Sequence, residues 1–344
     1  MRAAQLLEPA PAEDAPLRIV DVPRPEPGLG EVRVDVTACA VCRTDLQIVE
    51  GDLPARRLPV IPGHQVTGVV SAVGTGVVDR AVGDRVGVAW IAGTCGRCDH
   101  CRAGRENLCE RAELTGWDRD GGYADALVAR ADFTHPLPEH FADLDAAPLL
   151  CGGAIGYRTL HVAEVEDGQR VGLYGFGSSA SLVIQVALAR GCEVYVCTRS
   201  EREQERARRM GAVWAGGAED PPPVALDAAI TFAPVGSVVV AALRALRRGG
   251  IVAVNAIHLD RIPEFGYELL WWERQIRSVA NVTRDDVRDF LRLAAEIGIR
   301  TETEVISLED IGDALLRLRE GRVTATMVID QRRSADNGVA EANR

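Results

Sequence analysis

Cys95, Cys98, Cys101 and Cys109 fall in the stretch CGRCDHCRAGRENLC, with the spacing C-x2-C-x2-C-x7-C. They are four of the nine cysteines in the chain. Thiolates two residues apart bend onto one tetrahedral ion, and four of them close a structural zinc site with no open position. Ferredoxin runs also begin C-x2-C-x2-C, but their fourth cysteine follows after three residues and precedes proline. Here it follows after seven and precedes Glu110. Zinc is the expected ion. Because four thiolates saturate it, the cluster reads as a staple for a loop with little core of its own.

A second chemistry-bearing stretch is YGFGSSASLVIQVALA, where Gly175, Gly177 and Ala180 give G-x-G-x-x-A. The first glycine permits a tight turn, the second lets backbone approach a pyrophosphate, and the small third residue lets helix and strand pack closely. Phe176, Ser178 and Ser179 lie in the turn, where the helix start offers free N–H groups to phosphate. An NAD site usually places a carboxylate about twenty residues further on, at the ribose 2′-hydroxyl. Here EVYVCTRSER puts Thr198 at that place, followed by Arg199 and Ser200. A hydroxyl and a guanidinium suit a 2′-phosphate, so NADP is expected over NAD.

Three further residues could ligate metal: Cys42 in CRTDL, His64 in PGHQ and Cys151 in LLCGG. A lone cysteine is usually a small buried hydrophobe, and spacing alone does not bring these three together. Cys39, Cys192 and Cys197 lie in strand contexts and are expected to be packed thiols. No partners are identifiable for His100, His135, His140, His161 and His258. Trp271 and Trp272 are adjacent, so at most one of them would face a helix's core side.

The elements that must position these groups fall into two rhythms. The first half reads as strands. EVRVDVTAC (31–39) alternates Val32, Val34, Val36 and Ala38 against polar neighbours, and VTGVVSAV (66–73) and DRVGVAW (84–90) are also β-rich. From about residue 151, short apolar runs (RVGLYG, EVYVCT, DAAITF, GIVAVN, IRSVA) alternate with helical segments such as 200–210 and 236–247. That alternation predicts a parallel sheet covered on both faces. The pattern changes again after residue 283. SLEDIGDALLRLREG (307–321) predicts a helix with Ser307 as N-cap, Asp310 three residues on, a stripe of Leu308, Ile311, Leu315 and Leu318, and Gly321 at its end. The final QRRSADNGVAEANR (331–344) is polar and expected to be disordered.

Composition narrows the function classes. The chain has 344 residues, 47% hydrophobic and 26% charged, as in a globular protein of about two domains. A net charge of −11 argues against a nucleic-acid binder. Residues 171–189 carry no charge, but three glycines, three serines and a glutamine fit strand–turn–helix better than a membrane span. No long apolar run follows Arg2, so no signal peptide is expected. A cytoplasmic setting favours metal ligation over disulfides for the clustered thiols.

CRTD (42–45), PGHQ (62–65), GDRV (83–86), the four-cysteine lobe, LLCGG (149–153) and the glycine turn occur in an order that resembles the zinc-dependent medium-chain alcohol dehydrogenases over about residues 1–330. The resemblance implies an α/β protein. A GroES-like β-rich catalytic domain would occupy 1–152 and 284–344, and a doubly wound Rossmann dinucleotide-binding domain 153–283. It also implies a catalytic zinc on Cys42, His64 and Cys151, hence two Zn2+ per chain. Three protein ligands leave a fourth position for substrate oxygen. The metal lowers the pKa of an alcohol, so that a hydride can pass to a nicotinamide. Asp45 matches the carboxylate that orients the zinc-bound histidine. Thr44 matches the hydroxyl that takes the alcohol's proton, Arg43 a cofactor-phosphate contact, and Trp90 a side chain that narrows the substrate channel. Small alcohols or aldehydes and a homo-oligomer, dimer or tetramer, are expected, with no nucleic-acid or membrane partner.

Four positions depart from the family's pattern. Gln65 replaces the acid that follows the histidine and aids metal-ligand exchange. Gln47 replaces a histidine that ends the proton relay. Ile155 replaces a threonine against the nicotinamide, and Thr326 replaces a phosphate-binding arginine. Two competing readings are a quinone or enoyl reductase of the same superfamily, which needs no zinc, and a non-enzymatic zinc protein that binds partners through its four-cysteine lobe.

Overall fold

The computed structural model describes residues 1–333. The chain divides into two compact units. The first comprises Met1–Cys151, Asn281–Ala295 and the residues from Arg300 on; the second comprises Gly152–Ala280 and Glu296–Ile299.

In the first unit the strand Glu31–Ala40 is the hub of a largely antiparallel sheet. It pairs with Val66–Val73, with Ala126–Arg130 along its first half, and with Thr326–Asp330 along its last residues. Arg85–Val88 and Thr134–Pro136 extend the sheet on one side, and Thr303–Ile306 on the other. Val32, Val34, Val36 and Ala38 all point into the core, as period-two alternation requires. The helix Arg43–Glu50 follows the hub strand directly and buries Leu46, Ile48 and Val49.

The second unit holds a six-stranded parallel sheet. Numbered within it, the strands are β1 (Arg170–Tyr174), β2 (Glu193–Cys197), β3 (Trp214–Gly216), β4 (Leu226–Thr231), β5 (Leu246–Val254) and β6 (Gln275–Ser278). Their spatial order is β3-β2-β1-β4-β5-β6. Strand order reverses at β1, which in a doubly wound sheet is where a ligand crevice forms. Near-continuous apolar runs such as Ile251–Val254 fit a sheet buried on both faces.

Three expectations need correction. The helix predicted over 307–321 spans only Ile311–Arg319, with Asp310 and not Ser307 as N-cap. Ser307 instead opens a preceding turn, where its hydroxyl and N–H both donate to the Asp310 carboxylate, at 2.7 and 3.2 Å. That local bond competes with helix and delays its start by one turn. The segment 236–247 is helical only over Gly236–Ala245, because Leu246 already begins β5. Residues 331–333 are helical, and Gln331 is buried with its amide donating to the Ala124 carbonyl. The rest of that polar stretch lies outside the described residues. Trp271 and Trp272 lie outside any helix and both are exposed.

Candidate active site

The metal-ligand candidates of the first unit are built around one buried carboxylate. Cys42 caps the helix Arg43–Glu50 in extended conformation, and Asp45 stands at its third position. The Asp45 carboxylate accepts from the Cys42 N–H (2.9 Å), the Gly63 N–H (3.2 Å) and the His64 ring at Nδ1 (2.8 Å). Asp45 and His64 are both wholly buried. A charge removed from water needs such partners, and these three also fix its direction. Gly63 is required here: it has φ of +95°, and a Cβ would lie 2.5 Å from the Tyr123 ring.

A proton on Nδ1 held by Asp45 leaves the Nε2 lone pair of His64 for another partner. Nε2 lies 3.3 Å from the Cys151 sulfur. The ligand atoms of Cys42, His64 and Cys151 all lie within 4.8 Å of one another. Two thiolates and an imidazole form a borderline-soft donor set that suits Zn2+ and leaves a fourth position open. Cys42's thiol is held well below its ordinary range, chiefly by hydrogen bonding from Cys151, with burial opposing and His64 assisting. Cys151 moves the other way for the same reason, because it keeps the shared proton. Burial disfavours a charged His64, but Asp45 and Cys42 outweigh it and push the ring's pKa up to about 10, so a cation that takes the Nε2 lone pair must displace a proton from it.

Around this centre the other candidates take definite places. Thr44 is partly buried on the same helix. Arg43 is exposed and donates to the Leu318 carbonyl at 3.0 Å. Gln47 is buried one turn beyond Arg43, and Gln65 is buried with its amide near the Ala40 carbonyl. Thr326 begins the strand Thr326–Asp330. Trp90 is partly buried, and its ring centroid lies 5.8 Å from that of His64.

The four-cysteine lobe gathers its sulfurs within 4.8 Å of one another. Cys98 and Cys101 sulfurs are 3.5 Å apart, and the Cys95 N–H donates to the Cys109 sulfur at 3.5 Å. Backbone N–H groups of Arg97 and Cys98 bring the Cys95 thiol down to about 6, so it readily carries the negative charge a cation needs. The lobe is tied down by Glu106, whose carboxylate accepts from the Arg284 backbone and guanidinium at 2.8–3.2 Å. The Arg284 guanidinium also lies 4.4 Å from the centre of the Phe133 ring.

In the second unit, β1 leads into Gly175 (φ +91°), buried Phe176 and Gly177, which caps the helix Ser178–Ala189. A Cβ on Gly177 would meet nothing within 4 Å, so open space lies where a phosphate would approach the Ser178 and Ser179 N–H groups. Ala180 is fully buried, as close helix–strand packing requires. Thr198, Arg199 and Ser200 follow β2 directly. Thr198 donates its N–H to Gly216 and accepts from the Gln204 amide. Ser200 caps the helix Glu201–Arg209, its hydroxyl accepting from the Glu203 N–H. Arg199 is exposed. Ile155 lies in the helix Gly152–Val162.

Sequence reasoning missed Tyr123 and Trp117. Tyr123 is fully buried; burial first and Asp45 second raise its pKa. Trp117 stacks on Trp90. Both belong to LTGWDRDGGY, a stretch with no periodicity to reveal what it packs against.

The family pattern described as "Alcohol dehydrogenase GroES-like domain" matches residues 28–139. The chain is 49% identical to "Probable alcohol dehydrogenase AdhA" of Mycobacterium tuberculosis, over 96% of this chain and 97% of that one. It is 33% identical to an alcohol dehydrogenase of Geobacillus stearothermophilus, over 91% and 96%. Among solved structures, a cinnamyl alcohol dehydrogenase from Sorghum bicolor superposes with a TM-score of 0.87 at 28% identity, over 95% and 97% of the two chains. A cobalt- and zinc-bound thermostable alcohol dehydrogenase from Pyrobaculum aerophilum gives 0.86 at 26%, over 96% and 99%. Identity sustained over nearly the full length of two curated relatives, on a fold shared with solved alcohol dehydrogenases, makes this chain a member of the medium-chain alcohol dehydrogenase family.

Proposed function

We propose that this oxidoreductase is a zinc-dependent alcohol dehydrogenase and aldehyde reductase that passes a hydride between NADP(H) and a small primary alcohol or aldehyde. The observation that carries the reading is the Cys42, His64 and Cys151 cluster, with His64 fixed by Asp45. These three would hold the catalytic zinc, which when bound supplies Lewis acidity at a substrate oxygen. Cys95, Cys98, Cys101 and Cys109 would hold a second, structural ion. The structural relative from Pyrobaculum aerophilum is cobalt- and zinc-bound, which supports a metal at the matching fold.

The chain's own residues have separate tasks. Asp45 keeps the His64 proton on Nδ1, so the ring ligates through Nε2. Thr44, one residue before Asp45 on the same helix, relays the alcohol's proton, accepting it as it passes its own hydroxyl proton on. Gln47, an amide, is no base near neutral pH, so the proton leaves by another acceptor. Gly175, Phe176, Gly177, Ser178 and Ser179 bind the pyrophosphate, with Arg43 contributing a phosphate contact. Thr198, Arg199 and Ser200 hold the 2′-phosphate. Ser200's capping role leaves its hydroxyl hydrogen available to donate. Trp90 walls the alcohol pocket beside His64.

A cytoplasmic location is proposed; no helix among the described residues is long and apolar enough to cross a membrane. A homo-oligomer, dimer or tetramer, is proposed as well. Tyr267, Trp271 and Trp272 are 69%, 51% and 46% exposed just before edge strand β6, and an edge unpaired among the described residues, beside exposed aromatics, favours pairing with a second copy. The test of the main reading is an aldehyde-reduction assay with NADPH and NADH on wild type and Cys42→Ala. Activity that survives in the variant rejects it.

A further inference from the structure

Four side chains meet in succession from the protein surface to the His64 ring. The Arg56 guanidinium lies 4.0 Å over the Trp117 ring. Trp117 lies parallel to Trp90, with centroids 6.2 Å apart and planes 9° from each other. Trp90 in turn meets His64 at 5.8 Å and 47°. The outer members are anchored. The Trp117 indole N–H donates to the Pro54 carbonyl at 3.1 Å. Arg56 pairs with Asp118 at 3.0 Å, and the same carboxylate oxygen accepts from the Leu114 N–H at 2.9 Å.

The inner member is not anchored in that way. The Trp90 indole N–H is buried and finds no acceptor among the described residues. Hydrogen bonding therefore does not fix the orientation of this ring; packing does, with His64 and Trp117 as its aromatic neighbours. His64 is itself immobilised through Asp45. That leaves Trp117 as the second fixed support of the Trp90 ring. It is 7% exposed and held on its far side by Arg56.

We infer that Trp117, clamped by Arg56 and the Pro54 carbonyl, is a positioning residue that sets the angle of Trp90 and so the size limit of the substrate pocket. The inference rests on the reading that Trp90 walls that pocket. It also ties the segment 54–56, which lies between Cys42 and His64 in the sequence, to substrate choice. A smaller side chain at 117 would let the Trp90 ring tilt away from the metal ligands and admit bulkier substrates.

The test measures kcat/KM for benzaldehyde and acetaldehyde in wild type, Trp90→Ala, Trp117→Leu and the double variant. Trp90→Ala should raise the bulky-to-small ratio about tenfold or more, the scale on which one group's volume discriminates in an apolar pocket. Trp117→Leu should raise it about three- to tenfold, the loss of one aromatic pair, and should add nothing in the Trp90→Ala background. Trp117→Tyr, which keeps a ring there, should restore the wild-type ratio. Arg56→Ala replaces a half-exposed side chain and should shift the ratio about twofold in the same direction, so it tests the idea even if Trp117→Leu folds poorly. The indole resonance of Trp90 in 15N-labelled protein should broaden in Trp117→Leu. If Trp90→Ala leaves the ratio unchanged, the pocket reading fails and takes this inference with it. If Trp90→Ala acts but Trp117→Leu and Arg56→Ala do not, or their effects add fully to it, this inference alone is wrong.

Discussion

Asp45 Oδ1 and His64 Nδ1 are 2.8 Å apart, and neither side chain is exposed to solvent. A carboxylate so placed does two things. It fixes which ring nitrogen carries the proton, and it raises the basicity of the other. Asp45→Asn keeps the shape but removes the charge. It should weaken zinc retention about 10- to 100-fold, the usual cost of losing such a partner. Chelator competition on the purified variant measures this. Retention equal to wild type would mean that the pair is only a packing feature.

The four-cysteine lobe should act on stability more than on turnover. Cys98→Ala opens a site whose closure orders a loop with little core, so thermal stability should fall while the remaining folded protein still turns over. Glu106→Gln should have a weaker effect of the same kind, because it loosens the tie to Arg284. Differential scanning calorimetry with parallel activity assays checks both. A Cys98→Ala protein with unchanged Tm and no activity would invert the assignment.

Cofactor choice should reside in Thr198 and Arg199. A charge-assisted bond contributes about 1.5–3 kcal/mol, or roughly ten- to a hundredfold in affinity. Arg199→Ala should therefore weaken NADPH far more than NADH. Thr198→Asp should move preference towards NADH, by repelling a 2′-phosphate and accepting from a ribose diol. The measurement is kcat/KM for both cofactors with one aldehyde. Equal weakening of both by Arg199→Ala would remove this loop from cofactor selection.

His135 should make stability depend on pH. It is 5% exposed, and burial, reinforced by Arg80, Arg284 and Arg288 against an opposing Glu106, takes its pKa down to about 3 from 6.5. The unfolded chain binds this proton below pH 6.5, and the folded chain does not until about 3. The unfolded state thus holds more protons in that window. The stability contribution is complete above 6.5 and declines as pH falls towards 3. His135→Leu should lose less Tm than wild type between about pH 7.5 and about pH 5. An identical loss in both proteins would show that this ring does not titrate on unfolding.

Local patterns in the sequence reached much of this. The thiol lobe was readable because its ligands lie within fifteen residues, and the glycine turn because strand, turn and helix are contiguous. Period-two alternation located the hub strand to within a residue of its end. Relations between distant segments were not readable. Glu106 meets Arg284 across 178 residues, and nothing in RENLC announces it. Trp117 and Tyr123 sit in an aperiodic loop, so their burial emerges only when that loop packs on the 62–64 segment and Trp90. The late start of the helix at Ile311 came from Ser307 bonding Asp310 locally, a competition that a capping pattern does not resolve.

In the proposed reading one metal binds the four-cysteine lobe and a second binds Cys42, His64 and Cys151. Elemental analysis of freshly purified wild type and Cys42→Ala tests it most directly. Two zinc ions per chain are expected in wild type and one in the variant. The same zinc content in both proteins, or a wild type with fewer than two, would contradict it.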